Sequence, residues 1–210
     1  MLMNTRRISF GPQQGCLQRG VTLIELVVVL AIMGFAFAAM LPDVSTWMRG
    51  LAVRSAAESM RAGLERARME ALRRNASVSF WLVSDAAGKS LSNSCSLATT
   101  GPSWVVSVLS PDGKCAATPS ATDDPMLVES WSAADGAKGV EVQGIDGAGA
   151  ATNSVTFNSL GQVLGSGSQL AQLDFSHAVP GARALRIRIE AGGSVRMCDP
   201  NVDANDPRKC

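Results

Sequence analysis

The hydrophobic rhythm of the chain changes twice. Sixteen consecutive residues, 26–41, carry no charge, and nearly all of them are apolar. From Met48 onward, apolar residues recur at Ala52, Ala56, Met60, Leu64, Ala67 and Ala71, in steps of three or four that mark one face of a helix. Between them lie Arg54 with Glu58 and Arg61 with Glu65, spaced to meet on a helix surface. Together the two stretches predict one helix over 21–75. Beyond it the period falls to two, and residues 77–83, 104–109, 126–131, 140–145, 154–157, 169–175, 184–190 and 194–198 read as short strands between Gly, Pro, Asp and Ser clusters.

Counted back to Val21, the apolar run has 21 residues. As a helix it reaches about 31 Å, one hydrocarbon core. Ahead of it lie Arg6, Arg7 and Arg19 and no acid, a net +3 over the first twenty residues that favours a cytoplasmic start and an exported remainder. A secretory signal would share this plan, and Ala36-Phe37-Ala38 offers a cleavage pattern. Glu25 argues against it, because a carboxylate at helix-centre depth costs about 2.5 to 3.5 kcal/mol and serves no purpose in an ordinary export signal.

The segment Arg19-Gly20-Val21-Thr22-Leu23-Ile24-Glu25-Leu26 resembles the prepilin motif of type IV pilins and type II secretion pseudopilins. The resemblance implies cleavage after Gly20 by a prepilin peptidase, methylation of the new N-terminus at Val21, and an assembly role for Glu25, whose charge would be met by the N-terminal amine of a neighbouring subunit. Phenylalanine is usual where this chain has Val21. Gly34 and Pro42 also fall where pilin helices resemble one another, Pro42 offering a kink at the outer end of the span. Later segments are similar to the GspH/FimT subgroup: Arg66-Ala67-Arg68-Met69-Glu70-Ala71, Val155-Thr156-Phe157-Asn158-Ser159-Leu160-Gly161, and the hairpin residues Gly193-Ser194-Val195-Arg196.

The resemblance implies an α+β, pilin-like fold, a long N-terminal helix packed on an antiparallel β-sheet head. Residues 1–20 would be the leader, 21–45 the transmembrane half of the helix, 46–75 its amphipathic half and 76–210 the head. The implied protein is a minor pilin of a type IV pilus, not an enzyme. It would be held in the bacterial inner membrane as a single-pass protein with its head in the periplasm, then built into a filament with other pilins or pseudopilins through the N-terminal helix. An H-type pseudopilin of type II secretion is the alternative, and a DNA-binding minor pilin a further one.

Charge refines this picture. The chain holds 19 basic and 18 acidic residues, net +1, which excludes whole-chain attraction to polyanions. Residues 75–210 hold 9 basic and 13 acidic groups, net −4. Any DNA contact must therefore be local, and the candidates are Arg186, Arg188 and Arg196 on the last hairpin. Strand alternation places Arg186 and Arg188 opposite Leu185, Ile187 and Ile189, so three guanidiniums could share a solvent face. DNA-binding relatives carry Gly-Arg-x-Arg where this chain has Gly193-Ser194-Val195-Arg196, so the first arginine is missing.

A single histidine, His177, leaves no His-based metal cage or triad, and it reads as a loop residue. No cofactor and no metal is called for. With Cys16 in the leader, four cysteines remain in an oxidising compartment, with three connectivities open. The sequence-local pairing, Cys95 with Cys115 and Cys198 with Cys210, is favoured because each bridge would staple a small polar loop. The tail Asp199-Pro200-Asn201-Val202-Asp203-Ala204-Asn205-Asp206 resembles the start of a calcium loop but lacks its glycine and its terminal glutamate, and reads as Asx turns.

Overall fold

The computed structural model of the chain describes residues 20–85, 90–165 and 167–210, with the side chains of 39–43 excepted. The leader before Gly20, Cys16 included, lies outside the described residues. The chain divides into two compact units, Met1–Pro42 and Asp43–Cys210.

One helix, α1 (Leu23–Arg74), contributes to both units. It starts one residue after Thr22, whose carbonyl accepts the first helical hydrogen bond from the Leu26 N–H at 3.1 Å. It stops at Asn75, which takes φ +50°, a left-handed conformation that asparagine tolerates and a helix cannot continue. The helix runs through Pro42. Among the described residues no helix is long and apolar enough to cross a membrane.

In the second unit α1 lies against two antiparallel sheets, where the sequence suggested one. The first contains β1 (Val78–Ser84), β2 (Ser96–Leu97), β3 (Ser103–Ser107), β4 (Leu127–Trp131) and β6 (Ser154–Phe157), with β1 flanked by β3 on one side and by β6 and β2 on the other. The second has the order β5 (Val140–Asp146), β7 (Leu170–His177), β8 (Leu185–Ile189), β9 (Val195–Cys198). His177 is therefore the last residue of a strand and not in a loop. It pairs with Val140, and its Nδ1 accepts the Val179 N–H at 3.0 Å.

The helical stripe packs where it should from Ala52 onward. Ala56, Met60, Leu64, Ala67 and Ala71 are fully buried, and Val53 and Ala57 widen the stripe by one position. Small residues let the helix approach the sheets closely. At Gly63 an added Cβ would lie 2.9 Å from the Trp104 ring, and the Trp104 indole N–H donates to the Ser59 hydroxyl at 3.0 Å. Met48 departs from expectation: it is 61 % exposed, because the core begins only at Ala52 and Val53.

β1 and β3 are buried on both faces. Phe80, Leu82, Trp104 and Val106 meet the helix, while Val83 and Val105 join a second cluster with Leu127 and the Cys95–Cys115 disulfide. The other disulfide joins Cys198 to Cys210.

Candidate functional sites

The Thr22 hydroxyl accepts the Glu25 N–H at 3.3 Å. Thr22 is thus the N-cap and Glu25 the third helical residue, the T-x-x-E spacing of a capping box, where an anion is favoured by the unpaired N–H groups of the first turn. Gly20, Val21 and Glu25 are all exposed, as is every residue described from 20 to 38. Leu23 is 81 % exposed and Phe35 79 %. A helix apolar on all sides is stable only when something other than water covers it.

At the far end of α1 the six-residue segment 66–71 carries two anchors. Glu70 is only 3 % exposed and accepts from Arg73 at 2.6 and 2.8 Å and from Arg74 at 2.5 Å. Hydrogen bonding from Arg73, opposed by burial and reinforced by Arg74, lowers its carboxyl to about 2. Arg68 donates its Nε–H to the Gly161 carbonyl at 3.0 Å. Gly193 closes over the same carbonyl with φ +81°, and an added Cβ would lie 2.0 Å from that oxygen. The helix-end segment, the turn at Gly161 and the β8–β9 hairpin therefore meet at one junction.

The hairpin puts Arg186, Arg188 and Arg196 on the outer face of the second sheet. Arg188 and Arg196 are direct partners across the β8–β9 ladder, and Arg186 stands opposite Cys198. Arg186, however, is occupied: Asp174, its partner on β7, accepts from it at 2.5 and 3.2 Å. Arg183 is likewise held by Asp199. Two guanidiniums, Arg188 and Arg196, remain exposed with no acid partner among the described residues. They share a cleft with Lys209, whose ammonium donates to the Pro200 carbonyl at 2.7 Å. Neither Asp174 nor Lys209 stands out in the sequence. Asp174 has a readable signal, since Gln172 and Asp174 fall on the polar face of an alternating strand, but its register against Arg186 does not.

In the tail, the Asn201 N–H donates to the Asp199 carboxylate at 2.8 Å and the Arg208 N–H to Asp206 at 2.8 Å, both local Asx geometry. Burial pushes the Asp199 carboxyl up, but the Asn201 N–H and Arg183 outweigh it and hold it below the ordinary range. Hydrogen bonding from Arg208 does the same for Asp206. Among the described residues no group of three or more His, Cys, Asp or Glu is placed to hold a metal.

A capped, apolar N-terminal helical segment, continued by a helix packed on antiparallel sheets, defines a pilin-like class of protein. The family model described as type II transport protein GspH matches residues 56–193, and the chain belongs to that family. The model described as the prokaryotic N-terminal methylation motif matches residues 16–41. The pilin-like protein PilA1 of Thermus thermophilus is 42 % identical over 71 residues, which is 34 % of this chain; the match spans 44 % of that relative's length. Two crystal forms of the Pseudomonas aeruginosa type IV minor pilin FimU superpose with TM-scores of 0.46 and 0.43 at 17 % identity, each over 73 % of this chain and over 93 % and 98 % of theirs.

Proposed function

We propose that the chain is the precursor of a structural filament subunit, a minor pilin of a type IV pilus that primes assembly or sits at the tip. The observation that carries this reading is the N-terminal segment, in which apolar side chains are exposed all round the helix from Leu23 to Ala38 and one carboxylate, Glu25, lies in the capped first turn. In this reading residues 1–20 are removed by a prepilin peptidase and Val21 is methylated. Residues 21–45 then span the inner membrane until 46–75 and the periplasmic head, 76–210, are drawn into a helical bundle with other pilins. The H-type pseudopilin of a type II secretion system is the alternative within the same class. Intact-mass and N-terminal analysis of the native protein tests the proposal. Cleavage after Gly20 with a methyl group on Val21 is the expected result, and a mature chain beginning at Ala39 would mean release by signal peptidase. A knockout that keeps surface pili but traps exported enzymes in the periplasm would favour the pseudopilin.

One observation favours a second reading, contact with DNA: Arg188 and Arg196 lie side by side on the sheet face and neither makes an ion pair among the described residues, though Glu190 lines the same cleft. Two phosphate contacts would give a salt slope of about −2 in log–log form. A gel shift at two salt concentrations should then show weak, salt-sensitive binding lost in Arg188→Ala and Arg196→Ala. Arg186→Ala should have little effect on it, because Arg186 already serves Asp174. Binding that ignores salt or survives both substitutions removes this reading.

A further inference from the structure

An apolar groove of about 690 Å³ opens at the start of the second unit. Trp47 and Leu51 of α1 form one wall and Leu185 and Met197 of β8 and β9 the other. Trp47 is 65 % exposed and Leu51 45 %, a large apolar surface left to water beside the unburied Met48.

Gly50 belongs to the α1 wall, between Trp47 and Leu51. A glycine inside a helix costs about 1 kcal/mol relative to alanine, and close approach of a neighbour is the ordinary reason for keeping one. Here that reason fails, because a Cβ added at Gly50 would meet nothing within 4 Å. The missing side chain instead leaves the α1 wall bare beside Trp47 and Leu51. At the mouth stand Arg54 and Arg183. Each binds an acid through its Nε, Glu58 and Asp199 respectively, and the five-donor guanidinium keeps further N–H groups for an anion.

We propose that this groove holds one acyl chain of a membrane phospholipid, with the headgroup phosphate at Arg54 and Arg183. The inference rests on the membrane reading above. It draws on chain length: only four residues separate Leu41, the end of the apolar run, from Thr46, the first groove residue, and five extended steps cover at most about 18 Å. While the chain is anchored, the groove therefore stays within reach of the headgroup layer, where acyl chains and phosphates abound. Trp at such a position is a residue type that settles at that interface. The volume falls within the 300 to 1,000 Å³ range, about that of small-molecule sites. A lipid held there would cover the apolar wall until a filament neighbour replaces it.

The test uses the full chain in vesicles of phosphatidylethanolamine and phosphatidylglycerol, the latter carrying a photoactivatable diazirine on one acyl chain. Flotation is scored first, then the labelled peptides are mapped by mass spectrometry. The expected result is co-flotation with label on the peptides bearing Leu185 and Met197 as well as on residues 21–41. Gly50→Leu, which puts a side chain into the open space beside the α1 wall, should raise thermal stability and cut the head label by about tenfold, the low end of what one apolar contact is worth in a hydrophobic pocket. Leu51→Gln should lower the label in the same direction. Label confined to 21–41 in a floating protein overturns the groove and leaves the membrane reading standing. In a parallel sample of the chain carrying photoactivatable methionine, dimers joined through the Met197 peptide, with no lipid label on that peptide in the first sample, give the groove to a second copy and also overturn the proposal. Failure to float removes the membrane reading, and the groove proposal falls with it.

Discussion

Glu70 shows how one residue fixes the end of α1. Its carboxylate is buried yet charged because two arginines, Arg73 and Arg74, saturate its oxygens. Its folded-state value, about 2, lies below the ordinary 4.5. A depressed acid contributes stability that is present above the ordinary value and lost as pH falls toward the folded one. Glu70→Gln should therefore destabilise the protein by about 1 to 3 kcal/mol at neutral pH, the worth of hydrogen bonds to a charged group. The gap between variant and wild type should close as the pH approaches 2. Urea melts at pH 7 and near pH 2.5 measure this, and a gap of equal size at both values would contradict it. Gly193 acts by a different mechanism at the same junction. Gly193→Ala meets both a positive φ and the Gly161 carbonyl at 2.0 Å, so it should cost about 2 to 4 kcal/mol and shift the melting temperature accordingly. Arg68→Ala, which only leaves that carbonyl one donor short, should cost about 1 kcal/mol.

At the scale of elements, the two disulfides close loops of different kinds. The Cys95–Cys115 loop has a sequence separation of 20 and the Cys198–Cys210 loop one of 12, and loop-closure entropy alone makes each worth about 3 kcal/mol. Packing separates them. Cys95 and Cys115 lie in the buried cluster with Val83, Val105 and Leu127, whereas Cys210 ends a tail of Asx turns. Replacing the pair Cys95 and Cys115 by serine should thus lower global stability by more than the chain-entropy figure, while Cys198→Ser with Cys210→Ser should mainly loosen 199–210. Hydrogen exchange resolves the two: uniform loss of protection after the tail variant would reject the distinction. These elements also show how far periodicity reaches. Among the described residues, α1 and eight of the nine strands are legible in the sequence, because a 3.6-residue period and alternation of Val, Ile, Phe and Trp with small or polar residues survive without knowledge of the fold. β2, two residues long, has no period to read. The split into two sheets depends on which strand edges pair, and the neutralisation of Arg186 depends on a ladder register that brings Asp174 opposite it across twelve residues of sequence. Met48 fits the helical stripe yet is 61 % exposed, so periodicity marks it as core and tertiary packing decides otherwise.

For the whole molecule, the decisive feature is the contrast between a head with a buried apolar core and an N-terminal segment whose apolar side chains are exposed from 21 to 38. In the head, Phe80, Phe157, Phe175, Leu173 and Ile187 are each at most 1 % exposed. Across 20–38 every described residue is exposed, and in the proposed reading lipid covers those side chains first and other helices afterwards. Within that segment Glu25 is the one group for which the exchange of environments is unfavourable, since a carboxylate deep in hydrocarbon costs about 2.5 to 3.5 kcal/mol. The place of Glu25 in the first turn of α1 offsets part of that cost, worth about 0.3 to 1 kcal/mol for an anion there. The remainder is relieved if the amine of a neighbouring Val21 meets the carboxylate in the bundle, which would make Glu25 the residue that sets the step between subunits. Glu25→Ala removes that pairing while leaving the cleavage site intact. It should be processed after Gly20 at an unchanged rate and remain in the membrane, while its share in sheared filaments falls by about tenfold or more, the equivalent of some 1.4 kcal/mol per contact. Immunoblots of the membrane and sheared fractions measure both quantities. Equal incorporation of the variant would leave Glu25 an anion favoured in the first helical turn and nothing more, and a variant that stays uncleaved would move its role from assembly to peptidase recognition.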